Sequence, residues 1–255
     1  MAEGDTILRA ARRIGTALAG QAVAVDAPNP RGRAAGVERL DGRRLERVDA
    51  RGKHLLLDFV ELTLHSHLGM SGSWHVYRHG TSWRKSRGAA WAVLRGEGCE
   101  AVQFGGPALR VLGSAALRRD PTLARLGPDI LAADFDPGPV ADSLRAAADR
   151  AIGDALLDQR LVAGIGNIFK SEACFAARLD PWLPIAELSD EQLRQIVEAA
   201  HELMQASVEH GREDRAVYRR KGRPCPRCAT PILSRGQGDA NRTTYWCPSC
   251  QPSKG

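Results

Sequence analysis

Four cysteines set the strongest constraint on this chain. Cys225 and Cys228 form one Cys-x-x-Cys pair, Cys247 and Cys250 form a second, and a spacer from Ala229 to Trp246 separates them. Each pair can bring two thiolates to one tetrahedral ion, and the spacer is long enough to fold back as a hairpin between the pairs, which is zinc-ribbon spacing. Gly236, Gly238, Asp239 and Asn241 read as the turn of that hairpin, and Arg242-Thr243-Thr244-Tyr245-Trp246 as its return strand. Four thiolates close the coordination sphere, so one structural Zn2+ without chemistry of its own is expected here. The functional question is what the hairpin carries, and Arg242 near its tip is the candidate.

The charge distribution points toward nucleic acid. The chain has a formal net charge of +6 over 255 residues. From Arg212 onward there are ten Lys/Arg against three Asp/Glu, so the rest of the chain is close to neutral and the basic excess lies wholly in the C-terminal segment. A basic ribbon with exposed aromatics suits a polyanion. The length allows one large domain or two ordinary ones, and a hydrophobic content of 43% supports a real core. No stretch approaches 18 uninterrupted apolar residues, which excludes a membrane-spanning helix. The opening MAEGDTILRAARRIG lacks the apolar core of a secretory signal. Paired Cys-x-x-Cys in such a chain predicts an intracellular, reducing compartment and metal rather than disulfides. Cys99 and Cys174 read as buried thiols, since no His stands near them in a catalytic pattern.

Periodicity divides the chain in two. Ile7, Leu8, Ala11, Ile14 and Leu18 recur at helical spacing, with Asp5 or Thr6 available as a cap, so residues 1 to 4 lie at a helix N-terminus. From 21 to 115, short apolar runs alternate with turn signals, as in a sandwich or barrel: Ala22–Val25, His54–Phe59, Leu62–His67, Trp74–Val76, Ala90–Leu94, Ala101–Phe104 and Leu109–Leu112. His65 and His67 share a strand face and, with no third ligand nearby, read as core or hydrogen-bonding histidines rather than metal ligands. Breaks at Leu126-Gly127-Pro128-Asp129 and Asp136-Pro137-Gly138-Pro139 precede helical patterns over Val140–Ala148, Gly153–Gln159, Ile165–Ala177 and Ser189–His210. Ser189 with Gln192 has the form of a capping box. The expected fold class is therefore α+β and multidomain: residues 1–127 as one helix plus a β-sandwich, 128–220 as a helical domain, and 221–255 as the zinc finger.

The stretch Leu157-Asp158-Gln159-Arg160-Leu161-Val162-Ala163-Gly164-Ile165-Gly166-Asn167-Ile168-Phe169-Lys170-Ser171-Glu172 reads as a helix, two tight turns and a second helix. Its glycines let backbone approach a ligand, and the amides at the second helix's start suit a phosphate. Alongside it stand Glu3-Gly4-Asp5, Arg51-Gly52-Lys53-His54-Leu55, His65-Ser66-His67-Leu68-Gly69-Met70-Ser71-Gly72, and the ribbon with Arg242-Thr243-Thr244-Tyr245-Trp246-Cys247-Pro248. Taken in that order, the chain resembles the formamidopyrimidine-DNA glycosylase / endonuclease VIII family of base-excision repair enzymes over essentially its whole length.

The resemblance implies a β-sandwich preceded by one helix, a helical domain with the helix–two-turns–helix motif, and a zinc hairpin. It also implies a DNA glycosylase with abasic-site lyase activity, with damaged duplex DNA as the expected partner of a monomer. In that family an N-terminal proline amine attacks the deoxyribose C1′, the adjacent Glu moves protons, and a Lys and the hairpin Arg assist at phosphates and in β,δ-elimination. Glu3, Lys53 and Arg242 fill three of those positions, while the proline position is Ala2. With Met1 removed, Ala2 offers a primary amine that can still form an imine; with Met1 retained, position 2 is a peptide nitrogen that cannot attack. A replaced nucleophile, or a natural relative that binds lesions without excising them, is the other reading of Ala2. By the same resemblance Met70 is a wedge for the gap left by an everted base, and Arg125 and Asn167 are phosphate contacts. The family's Arg–Phe insertion pair is replaced by Phe104-Gly105-Gly106-Pro107, which, with Asp5-Thr6, points to the endonuclease VIII branch and its oxidised pyrimidines.

Overall fold

The computed structural model describes residues 2–212 and 214–253, so Met1 lies outside the described residues. The chain forms two compact units, divided between Ala124 and Arg125.

The first unit opens with helix α1 (Gly4–Leu18). Ile7, Ala11, Ile14 and Leu18 are buried along one stripe, which is why this short N-terminal segment holds a helix. Asp5 and Thr6 lie inside α1 and do not cap it; the N-cap position is Glu3. The chain continues through β1 (Ala24–Asp26), a short helix α2 (Pro30–Ala34), β2 (Arg47–Arg51), β3 (His54–Phe59), β4 (Leu62–His67), β5 (Ser73–Arg78), β6 (Ala90–Arg95), β7 (Cys99–Phe104) and β8 (Ala108–Gly113). Two short helices, α3 (Ser114–Arg118) and α4 (Pro121–Ala124), close the unit.

The strands make two four-stranded antiparallel sheets, ordered β1-β6-β7-β5 and β2-β3-β4-β8. Leu55, Leu57, Leu64, Leu94 and Ala101 meet in the core between them, and α1 packs on strands of both sheets. Strand β2 was not apparent from the sequence because Arg-Val-Asp-Ala-Arg carries no apolar run; it is an edge strand with polar residues outward. Cys99 is half-buried, unlike the fully buried Cys174.

One turn in this unit carries a backbone penalty. Val60, between β3 and β4, has φ 70 and is 67% exposed, although a β-branched side chain is poorly tolerated in the left-handed region. Val60→Asn is expected to raise stability by about 1 kcal/mol, because Asn tolerates that conformation and no buried contact is lost. Urea unfolding should show a higher midpoint at unchanged slope; an unchanged or lower midpoint would contradict the assignment.

The second unit contains α5 (Pro137–Arg145), α6 (Ile152–Ala155), α7 (Asn167–Ala176) and α8 (Asp190–His210), followed by the hairpin strands β9 (Leu233–Gln237) and β10 (Arg242–Trp246). Asp136-Pro137 proves to be a helix start, with Asp136 accepting the Gly138 N–H at 2.8 Å. Helix α6 ends at Ala155, well short of Gln159, because Asp158, Gln159 and Arg160 belong to the turns that follow. The capping box forms as expected: Ser189 Oγ accepts the Gln192 N–H at 3.1 Å and Gln192 Oε1 accepts the Ser189 N–H at 3.0 Å. Ile165, Phe169, Ala173, Ile196, Ala200 and Met204 build the helical core.

Candidate active site

In the first unit, the N-terminal residues, the Met70 turn and the Gly105-Gly106 loop converge. The Ala2 N–H lies 3.3 Å from the Gly69 carbonyl. Glu3 is 1% exposed at the start of α1, and its carbonyl accepts the first helical hydrogen bond from Ile7 N at 3.1 Å. Gly69 has φ 55, and a Cβ there would stand 2.8 Å from Pro107 Cδ; a Cβ on Gly106 would stand 2.8 Å from the His67 carbonyl. The two loops thus approach with no room for side chains at their base. At the tip Met70 is 72% exposed, which excludes a core role and leaves an apolar side chain standing in solvent.

Lys53 follows Gly52 (φ 57) in the tight turn joining β2 to β3 and is half-buried. Its carbonyl accepts a hydrogen bond from His67 Nδ1 at 3.0 Å, so one turn carries Lys53 and the strand leading to Met70 grips it. Behind this turn lies a polar cluster on the face of the sheet opposite the Leu55–Leu64 core. His54 Nδ1 and His65 Nε2 are 2.8 Å apart, Arg110 Nη2 lies 2.9 Å from His65 Nδ1, and the same nitrogen donates to Asp120 Oδ2 at 2.7 Å. Asp120 also accepts the N–H groups of Thr122 and Leu123. Burial, then the neighbouring imidazoles, pushes His54 down to about 3; burial, then the Arg110 charge, pushes His65 down to about 4; burial lowers His67 as well. Burial acts to raise Asp120, but hydrogen bonds from Leu123, Arg110 and Thr122 and the Arg110 charge outweigh it, and the carboxyl sits below its ordinary range. Of the two roles the sequence left open for His65 and His67, core or hydrogen-bonding, both rings take the second, and His65 is also buried. The sequence reading missed Arg110 and Asp120, whose link to His65 shows only once β4 and β8 pair His65 with Arg110.

In the second unit, the helix–two-turns–helix is braced by Gln159. Its Oε1 accepts the Gly164 N–H at 3.0 Å and its Nε2 donates to the Ile165 carbonyl at 3.0 Å. Gly164 adopts φ +108, and a Cβ there would press on Ile130 at 2.9 Å. Gly166, by contrast, is extended, so only the first glycine is required by conformation. Asn167 opens α7 and donates from Nδ2 to the Thr243 carbonyl at 2.8 Å, so one of its two amide hydrogens is committed to the hairpin. Lys170, fully buried, reaches Thr244 Oγ1 at 2.5 Å and Gln237 Oε1 at 3.5 Å. Sequence reasoning missed this brace, because a lysine in a helix reads as a surface residue.

Helix α7 therefore seats the hairpin, and Arg242 stands exposed at the first position of β10. Gly236 belongs to β9, opposite Thr243, and the reversal is made by Gly238 to Asn241. Arg125 is exposed just before the Gly127 turn.

The four ribbon sulfurs lie within 4.8 Å of one another. Cys225–Cys250, Cys228–Cys247 and Cys228–Cys250 are separated by 3.9, 3.4 and 3.5 Å. Four thiolates around a tetrahedral zinc at its usual bond length stand about 3.8 Å apart, so the residues fit that ion.

Comparison with known proteins agrees with this architecture. The family model for the formamidopyrimidine-DNA glycosylase N-terminal domain matches residues 1–104, and that for the formamidopyrimidine-DNA glycosylase H2TH domain matches 126–218. A Streptomyces coelicolor protein, probable endonuclease 8 2, is 43% identical, covering 98% of this chain and 94% of its own. The chain belongs to the formamidopyrimidine-DNA glycosylase / endonuclease VIII family. Within this family the DNA-(apurinic or apyrimidinic site) lyase Nei2 of Mycolicibacterium smegmatis is 35% identical, covering 98% of this chain and 99% of its own. Lactococcus lactis Fpg, solved in complex with DNA containing an abasic site, shares the fold: TM-score 0.83, 21% identity, coverage of 98% of this chain and 100% of that one. Family membership gives the β-sandwich, the helix–two-turns–helix and the cysteine cluster one common explanation.

Proposed function

We propose that this protein is a base-excision repair DNA glycosylase with abasic-site lyase activity, acting as a monomer on damaged duplex DNA inside the cell. The observation that carries the reading is the full-length likeness to proteins named endonuclease 8 and abasic-site lyase, joined to Glu3, Lys53 and Arg242 at the expected places. The expected division of labour assigns residues 1–127 to the catalytic sandwich, 128–220 to the helical DNA-binding domain and 221–255 to a finger holding one Zn2+ on Cys225, Cys228, Cys247 and Cys250.

A glycosidic carbon inside a stacked duplex is out of reach, so the nucleotide must be everted at a cost of a few kcal/mol. Met70, exposed on a stiff turn, suits the vacated space. Arg125, Lys53, Arg242 and the remaining amide hydrogen of Asn167 supply phosphate contacts. With Met1 removed, the Ala2 amine attacks C1′, the glycosidic bond breaks, and the base leaves with a proton. Glu3, the adjacent carboxylate, moves protons at the sugar. The C1′–O4′ bond then opens, O4′ takes a proton and the Ala2 nitrogen becomes doubly bonded to C1′; this protonated imine acidifies C2′, loss of the C2′ proton expels the 3′ phosphate, and a second elimination expels the 5′ phosphate. Lys53 and Arg242 offset the charge on the departing phosphates. Oxidised pyrimidines are the favoured substrates, supported by the endonuclease 8 relatives and by Phe104-Gly105-Gly106-Pro107 in place of an Arg–Phe pair.

Borohydride trapping on a duplex with one abasic site, with the N-terminus of the same sample weighed by mass spectrometry, tests this reading. A covalent adduct on Met1-free protein is expected. Tight abasic-site binding with neither adduct nor nicking from Met1-free protein would sink the lyase and leave a lesion binder.

A further inference from the structure

The histidine cluster behind Lys53 has one hydrogen-bonding polarity. A guanidinium can only donate, so His65 Nδ1 accepts from Arg110. A neutral His65 then carries its proton on Nε2 and donates to His54 Nδ1, and His54 in turn is protonated on Nε2. A carbonyl can only accept, so His67 carries its proton on Nδ1, facing Lys53. Protonating His65 would set an N–H against the Arg110 donor, so geometry and burial both keep the ring neutral. The His54 ring is held between its neighbours, 5.0 Å from the His65 centroid and 4.7 Å from that of His67. The chain is anchored at its far end by Asp120, which the Thr122 and Leu123 amides fix in place.

We propose that Asp120, Arg110, His65, His54 and His67 form a positioning network that aligns the Lys53 turn for strand cleavage, each ring locked in one neutral tautomer. The proposal rests on the reading of Lys53 given above. The rings themselves transfer no proton; they act through Lys53. A network of this kind holds its geometry across the working pH range instead of switching within it.

A double-mutant cycle tests the link. Single-turnover nicking of an abasic-site duplex is measured for His65→Leu, Lys53→Met and the double variant. Misplacing the lysine by a fraction of an ångström to an ångström predicts a loss of about tenfold to a hundredfold for His65→Leu. The double variant is expected to be no slower than Lys53→Met alone, and His65→Gln, which can both accept and donate, should recover much of the loss. Losses that multiply in the double variant would overturn the network. A parent-like rate for Lys53→Met would instead remove the reading of Lys53 on which it depends. Should His65→Leu fail to fold, Asp120→Asn enters the same cycle. Nitrogen-15 NMR of the unaltered protein reads the tautomers directly. Expected are Nε2-protonated His54 and His65, Nδ1-protonated His67, and no titration of His54 or His65 between about pH 5 and 8. The opposite tautomer at His65, or its titration in that window, overturns the proposal.

Discussion

Replacing Glu3 by glutamine is expected to lower base release by about 10²- to 10⁴-fold, the usual range for losing a positioned proton carrier. Glu3 is 1% exposed at the first turn of α1 and directly follows Ala2, so its carboxyl group is delivered by a helix packed on both sheets. Glutamine keeps the volume and most of the hydrogen bonding but cannot take up a proton. Affinity for a duplex carrying an uncleavable abasic analogue should therefore change little, and so should the melting midpoint. Single-turnover release of an oxidised pyrimidine gives the rate, and binding to the analogue gives the control. A rate within a factor of a few of the parent would assign the proton work elsewhere.

The second large effect is expected from opening the cysteine cluster. Cys247 is fully buried beside Phe175, Val217, Cys225 and Ile232, so Cys247→Ser removes a thiolate and places a hydroxyl in an apolar satellite core. Structural zinc in small fingers is held with an apparent free energy of about 10–16 kcal/mol, most of it coupled to folding. Loss of the ion should therefore melt the β9–β10 hairpin, with the Asn167 and Lys170 contacts insufficient to keep it closed alone. Strand nicking should fall by roughly 100-fold or more as Arg242 loses its placement. The β-sandwich, with its own core, should persist. Metal content, hydrogen exchange across residues 233–246 and nicking rate, measured together, decide the matter. A zinc-free protein that nicks at the parent rate would make the ribbon a passive appendage and discharge Arg242 from its role.

Much of the fold was legible because it is written in local chemistry. The Cys-x-x-Cys spacing, the apolar stripe of α1, the Ser189–Gln192 box and the short apolar runs of β3, β4, β6 and β7 each specify structure within a few residues. What stayed hidden depends on partners far along the chain. Strand β2 is polar and exists because β3 offers it a ladder from Arg51↔His54 to Arg47↔Asp58. The short helices α3 and α4 lack a periodic stripe, and Asp120 between them gains its meaning from Arg110. Lys170 looks like any exposed helical lysine until β10 brings Thr244 against it. Glu3, Lys53 and Met70 in the first unit and Arg242 in the second stood out by resemblance to a family, whereas the residues that brace them within each unit did not.

The close approach of the 67–72 and 104–107 segments has an implication for how this scaffold can be modified. Gly69, Gly72 and Gly106 stand where a single added methyl group would collide with neighbouring atoms, so the base of the loop tolerates almost no variation. Met70, out in solvent, is released from that constraint. The arrangement behaves as a rigid holder with an interchangeable tip. Swapping the side chain at position 70 should change the shape carried at the tip without disturbing the holder, so libraries gain most by varying that one position and leaving its glycines alone.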